Sequence, residues 1–367
     1  MKCLLLIFFF SCQGVCAQEL ISIPLPGGDT IEGRLNIPAG SKLKKIVIDV
    51  PGSGPSTYEN RRKVGSSTVF SFHDYFMDEF AGRGIAYFSY NTRYTVADTT
   101  APFYDRVDRN KFYSCTPGQK IKDLEEIIDF LRRDGRLEAY RFILLGWSEG
   151  AVIASMVAER RRVPVDALFL AGTPADDVYS TILWQHSGES SMINMCKFFD
   201  SDEDGIIQRS EYDNGDPRAR ARAGNLKFTR LDMNNDSVLT ADDYRIMLKP
   251  RLRELMRAIE RKDDKWIWDS YFRTGSRWIT EHRAIEPNRT RILRLDLPVY
   301  IFHGEDDANA PVIGILEIKE EAEKIKKPNL HFHIFPGNDH SLEFLSWVIK
   351  GAIPPGIKML IEQVEKL

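Results

Sequence analysis

Gly146-Trp147-Ser148-Glu149-Gly150 sets a serine two residues from a glycine on either side. The motif follows an apolar run, Arg141–Leu145, that reads as a strand, and it precedes a helical pattern starting at Ala151. Flanking glycines permit the sharp, strained turn that lifts a serine hydroxyl clear of a sheet. A serine hydroxyl is a poor nucleophile at neutral pH, so it needs a general base and a carboxylate to orient that base. His340, in Gly337-Asn338-Asp339-His340 beyond the last predicted strand, suits the base, and the loop after Phe302 offers Glu305, Asp306 and Asp307 as acids. The oxyanion formed on attack needs two fixed N–H donors. One is expected from Glu149, the residue after the serine. The other is expected from Ser53 in Pro51-Gly52-Ser53-Gly54-Pro55, where glycines let the backbone approach a substrate closely.

A second constellation is acidic. The twelve residues Asp200 to Glu211 place carboxylates at the first, third and fifth positions (Asp200, Asp202, Asp204), a glycine for a sharp turn at Gly205, a backbone carbonyl at Ile206 and a terminal Glu211 able to bind through both oxygens. That spacing is the EF-hand calcium loop, an all-oxygen cage for a hard cation. A second loop has Asp232, Asn234, Asp236, Val238 and Asp243 at the matching positions. It departs twice, with Ser237 for the turn glycine and the shorter Asp243 for the terminal glutamate, as in dockerin-like loops that resemble EF-hands. Ile207 and Leu239 share the loop position at which paired EF-hands form a short two-stranded contact. Calcium is the expected cofactor.

The elements that must position these groups alternate along the chain. Apolar runs at Lys45–Val50, Gly84–Tyr90, Arg141–Leu145, Val165–Ala171, Leu297–Phe302 and Leu330–Phe335 read as strands buried on both faces, after an opening hairpin of Leu20–Pro24 and Ile31–Ile37. Helical patterns at His73–Ala81, Gly118–Arg133, Ala151–Arg161, Val312–Lys326 and Leu342–Lys350 lie between or after them, which predicts an α/β fold with a mostly parallel sheet covered by helices. The alternation breaks between Gly172 and Asp296, where acidic clusters, the basic run Arg218–Arg222 and Trp266, Trp268 and Trp278 appear instead. This predicts a mainly helical inserted subdomain at 172–296, carrying the loop pair at about 190–250, between core segments 18–171 and 297–367. The tryptophans suit either a substrate entrance or the subdomain core. Leu252, Leu255, Met256 and Ile259 predict a basic helix opening after Pro250, packed on the sheet or lying in the groove of the loop pair.

With 367 residues, a net charge of -3 and 43% hydrophobic residues, the chain is neither disordered nor basic enough for a nucleic-acid partner. Lys2, the apolar Leu4–Phe10 and Val15-Cys16-Ala17 read as an export signal cut after Ala17, giving a periplasmic or extracellular protein, with a lipoprotein at Cys12 or Cys16 as the rival. No later stretch has the apolar length of a membrane span. Cys115 and Cys196 remain after that cut and read as two free thiols. His303, His331 and His333 read as strand residues, and His73, His186 and His282 fall in no recognisable motif.

From Leu20 to the C-terminus, outside the insertion, the chain resembles the α/β-hydrolase family. Gly52-Ser53-Gly54-Pro55, Gly146-Trp147-Ser148-Glu149-Gly150, His303-Gly304-Glu305-Asp306-Asp307-Ala308-Asn309-Ala310-Pro311 and Asp339-His340 carry the resemblance. It implies Asp307 as the acid, through the family's His-Gly-x-x-Asp-x-x-Val-Pro pattern, with Asp306 as the fallback. Within the family the chain looks like secreted esterases and prolyl-oligopeptidase-like enzymes with Gly-Ser-Gly-Pro. The Arg-Asp pair that often follows that tetrapeptide is replaced by Ser56-Thr57-Tyr58. The expected activity is hydrolysis of a small-molecule ester, preferred over a peptide because no β-propeller domain or amine-binding acid pair is visible. A calcium-dependent binding module is the alternative of a different class.

Overall fold

The computed structural model describes residues 18–222 and 224–367, so the expected export signal and Cys3, Cys12 and Cys16 lie outside the described residues. Eight strands form one sheet: β1 (Gln18–Pro24), β2 (Thr30–Asn36), β3 (Lys45–Val50), β4 (Ala86–Tyr90), β5 (Arg141–Trp147), β6 (Ala167–Ala171), β7 (Val299–Gly304) and β8 (Leu330–Phe335), in the order β1-β2-β4-β3-β5-β6-β7-β8. The opening hairpin is antiparallel, with Ile23 opposite Ile31, and β2 pairs antiparallel with β4. Every later neighbour is parallel.

Central strands alternate between two buried faces, as a side-chain period of two requires. Ile46, Ile48, Phe142, Leu144, Leu168, Leu170 and Ile301 face one core, under α2 (Pro117–Arg132) and α3 (Glu149–Arg160). Val47, Ile143, Leu145, Phe169 and Phe302 face the other, under α1 (Phe72–Gly82) and the C-terminal Phe344–Lys350 and Pro355–Lys366. The last of these helices was not read from the sequence. It buries Ile357, Leu360, Ile361 and Val364 at helical spacing, and Pro355 sits in its first turn, where a missing N–H costs nothing. Among the described residues no single helix is long and apolar enough to cross a membrane.

Between β6 and β7 the chain builds helices over the C-terminal ends of the strands. Leu255, Ile267, Trp278 and Ile279 form one small core there, and Phe199, Ile207, Tyr212, Phe228 and Leu239 form another around the two acidic loops. The basic helix does not open after Pro250. It opens at Ala241, directly after the second loop, and runs through Pro250 to Arg261. The capping box of Thr240 and Asp243 starts the helix there, and nine helical residues before the proline are enough to carry it past the missing N–H. Tyr244 near its start belongs to the loop core and Leu255 near its end to the other, so neither expected placement of this helix holds. Cys115 and Cys196 are unbridged.

Candidate active site

Ser148 is the turn between β5 and α3, with φ 57° and ψ -122°, a region that side chains other than glycine rarely occupy. Its N–H donates to the Ala171 carbonyl at 3.0 Å, which ties the turn to the end of β6. Both flanking glycines are required by close approach. A Cβ on Gly150 would strike the Val50 carbonyl oxygen, and one on Gly146 would meet the backbone of Gly150 and Ala151. The strain at Ser148 is thus held by β3 on one side and by the first turn of α3 on the other.

His340 comes to the same place from the opposite end of the chain. Its ring packs where a Cβ on Gly172, the residue after β6, would lie 2.9 Å from Nδ1, and its carbonyl accepts from Trp147 Nε1 at 3.0 Å. Asp307 Oδ2 lies 2.7 Å from His340 Nδ1, and Asp307 Oδ1 accepts from the N–H groups of Asn309 and Ala310 at 2.8 and 2.9 Å. Asp307 is fully buried. Burial alone would raise its pKa, but the His340 hydrogen bond, the nearby imidazoles and the Ala310 N–H outweigh it and hold the carboxylate below its ordinary value. Asp306, one residue earlier, points away and pairs with Lys197 at 3.2 Å. His303 is the other ring beside Asp307, at 3.4 Å, but burial lowers its pKa and its Nε2 also meets the Ala310 carbonyl at 3.0 Å.

The loop after β3 runs past the serine, with Gly52 so close that a Cβ there would meet the Trp147 carbonyl at 3.2 Å and the Ser148 Cβ at 3.6 Å. Where the family's Arg-Asp pair is absent, Ser56 N–H donates to Thr92 Oγ1 at 3.0 Å and Tyr58 N–H to Asn91 Oδ1 at 2.8 Å, which pins the loop to the end of β4. Ser53, Ser148, Glu149 and His340 open on one cavity of about 440 Å³. Its far wall comes from the segment between β6 and β7 and mixes apolar Val178, Ile182, Tyr271, Phe272, Trp278 and Ile285 with the polar or charged Asp176, Asp177, Gln185, His282 and Glu286.

The acidic residue after the serine has a second role. Its side chain is buried, with Lys120 Nζ at 2.9 Å on one oxygen and both Trp278 Nε1 and His282 Nε2 at 2.8 Å on the other. Burial would raise the Glu149 pKa, but the Lys120 and His282 charges and hydrogen bonds hold it well below the carboxylate range.

The two acidic loops have the same backbone. Left-handed residues stand at the fourth and sixth positions of each, Glu203 (φ 61°) and Gly205 (φ 81°) in the first, Asn235 (φ 62°) and Ser237 (φ 71°) in the second. The Asp204 and Asp236 N–H groups return to Asp200 and Asp232, those of Gly205 and Ser237 to the other oxygens of the same carboxylates, and those of Ile206 and Val238 to Asp204 and Asp236. Gln208 and Thr240 donate to Glu211 and Asp243 alike. Ile207 pairs with Leu239 across a two-residue ribbon. One carboxylate oxygen each from Asp200, Asp202 and Asp204 lies within 4.8 Å of the others, and oxygen donors are the kind a hard cation prefers.

A family model described as the alpha/beta hydrolase family matches residues 46–346. The chain belongs to the alpha/beta hydrolase family. Its fold is similar to that of a soluble variant of monoglyceride lipase from Saccharomyces cerevisiae, at 14% identity and TM-score 0.52, with 96% of each chain covered. It is also similar to a hypothetical protein from Pseudomonas aeruginosa, at 12% identity and TM-score 0.51, over 100% of this chain and 99% of that one. No curated protein matches the sequence. For this hydrolase, sequence reasoning missed Lys120 and His282 and placed Trp278 only as one of three tryptophans. Trp278 is the one in the cavity wall, while Trp268 packs on Phe112 and Tyr113. Nothing in the local spacing of Lys120 or His282 signals a site, because their shared partner is Glu149, far away in the chain.

Proposed function

We propose that this hydrolase cleaves uncharged carboxylic esters through an acyl-enzyme on Ser148. His340 acts as general base and acid, Asp307 orients its ring, and the N–H groups of Ser53 and Glu149 take the oxyanion. The observation that carries the reading is that His340, paired with the buried Asp307 at 2.7 Å, and the strained Ser148 line one cavity that is more apolar than polar. Among the described residues, the cavity lining holds no lysine or arginine to attract an anionic acyl group. Its carboxylates are engaged already: Asp176 with Arg289 at 2.7 Å, Glu286 with Arg294 at 2.6 Å, Asp177 as a helix cap, and Glu149 with its three donors. Of these, only Asp177 has no cationic partner among the described residues, and a single carboxylate is not an amine-binding acid pair, which supports an ester over an aminoacyl peptide. A panel of nitrophenyl esters and aminoacyl amides tests this, with neutral acyl chains turned over and hemisuccinates and amides spared. A fluorophosphonate should label wild type but not Ser148→Ala, whose turnover falls by several orders of magnitude. Labelling that survives in the variant would reject the assignment.

The reading extends to calcium and to export. Asp200, Asp202, Asp204, the Ile206 carbonyl and Glu211 would hold one ion, and Asp232, Asn234, Asp236, the Val238 carbonyl and Asp243 a weaker second. Calcium bound there supplies folding free energy to the loop pair, because it binds the folded loops and hardly the unfolded ones. Calorimetric titration of the chelated protein checks it, and absence of calcium heat would sink it. Export is checked by N-terminal sequencing of the mature protein, expected to begin at Gln18.

A further inference from the structure

Lys120 lies on α2, outside every motif, yet its ammonium bridges the two halves of the expected oxyanion hole. It donates to the Gly52 carbonyl oxygen at 3.0 Å and to Glu149 Oε2 at 2.9 Å, and its side chain is only 10% exposed. The Gly52 carbonyl and the Ser53 N–H belong to one planar trans peptide, so they point in opposite directions. Among the described residues no hydrogen-bond acceptor meets the Ser53 N–H. Holding the carbonyl from behind therefore aims the N–H forward, toward the cavity that Ser53 and Ser148 share. The other donor, the Glu149 N–H, sits on the residue whose carboxylate takes the same ammonium.

We propose that Lys120 is the positioning residue of the oxyanion hole, a clasp that sets the Gly52–Ser53 peptide plane relative to the Glu149 N–H. This rests on the serine-hydrolase reading above. A positive charge on the carbonyl side also polarises the peptide and strengthens the Ser53 N–H as a donor, an effect that grows as negative charge develops on the substrate oxygen. The clasp is rigid because α2 is fixed on both sides. Arg93 grips Asp123, one turn on, through two hydrogen bonds of 3.1 and 2.5 Å, and the Gly118 N–H donates to Glu281 Oε1 at 2.6 Å.

A clasp of this kind acts on the transition state and little on ground-state binding. Lys120→Met should lower kcat by about 10- to 100-fold, less than loss of a whole donor, with KM within about twofold. Affinity for a boronic acid, which forms the tetrahedral anion, should fall by the same factor, and Lys120→Arg should restore much of both. Lys120→Met also leaves the Glu149 charge buried beside two donors in place of three, so the double variant Lys120→Met with Glu149→Gln removes that burden. If the clasp holds, the double variant stays slow, because Gly52 still lacks its donor. Recovery of wild-type kcat in the double variant, or an unchanged kcat in Lys120→Met while fluorophosphonate labels Ser148 normally, overturns the clasp alone. A wild type that fluorophosphonate never labels at Ser148 overturns the hydrolase reading and the clasp together.

Discussion

Two carboxylates one residue apart have opposite fates, and the difference is measurable. Asp307 is sealed against His340 and two N–H groups, whereas Asp306 is 29% exposed and pairs with Lys197. Asp307→Asn is expected to cost kcat on the order of 10⁴-fold by upsetting the His340 tautomer, while Asp306→Asn changes steady-state rates little, since an exposed pair contributes at most about 1 kcal/mol. Asp49 on β3 offers a second test at this scale. It is buried near His73 and Tyr87, and burial pushes its pKa from 3.8 up to about 7 against the pull of Arg62 and the Tyr87 hydroxyl. The fold therefore favours the protonated acid. Its contribution to stability is fully present below the unfolded value near 3.8 and is lost as pH rises through about 7. His73, held low by burial and by Arg34 and Arg62, has the opposite sign and loses stability as pH falls below its unfolded value of 6.5. Thermal melts of wild type and Asp49→Asn separate them: the variant should melt higher at pH 8 and show a flatter profile between pH 4 and 7, with a difference of at most about 4 kcal/mol.

At the level of elements, the two acidic loops show how backbone geometry survives changed residues. Ser237 takes the left-handed conformation that Gly205 takes, and Asp243 reaches the N–H groups of Met233 and Thr240 much as Glu211 reaches those of Ser201 and Gln208. A serine at positive φ is strained where a glycine is not, so Ser237→Gly should stabilise the second loop by roughly 0.5–1 kcal/mol. Chemical denaturation with and without calcium reads that difference. Glu211→Gln should weaken calcium binding more than Asp243→Asn, because the longer carboxylate can offer both oxygens to the ion. Equal effects in a calorimetric titration would count against the difference between the loops.

Across the whole molecule, the inter-strand helices are joined to the Ser148 end of the sheet by buried polar contacts as well as apolar ones. Trp278 and His282 both donate to Glu149, and Ala241–Arg261 runs from the core of the acidic loops to the core that holds Trp278. Loosening the loops should therefore be felt along that helix. Chelation is expected to lower the melting temperature and to speed hydrogen exchange first in 189–261 and then around Trp278, while the central strands β3, β5 and β6 stay protected. Exchange that rises uniformly across the sheet would contradict this order.

The strand alternation, the elbow glycines, Asp339-His340 and the loop spacing were legible in the sequence because each depends on residues close together in the chain. Local spacing decides whether a run is a strand, whether a turn can be strained, and which carboxylates share a loop. The small ribbons Arg61–Val64 with Thr68–Ser71 and Thr95–Ala97 with Asp105–Val107 leave no mark in the sequence, since their short runs carry no clear apolar alternation. The helix after the second loop was misplaced because a proline is a stop signal only when the preceding turns cannot hold it. The family pattern already favoured Asp307 over Asp306, but what seals Asp307 against His340, why Gly146 and Gly150 must lack a Cβ, and how Lys120, Trp278 and His282 converge on Glu149 were decided only by tertiary structure. These are contacts between segments tens to hundreds of residues apart, and a buried charge shows its partners only once the chain has closed around it.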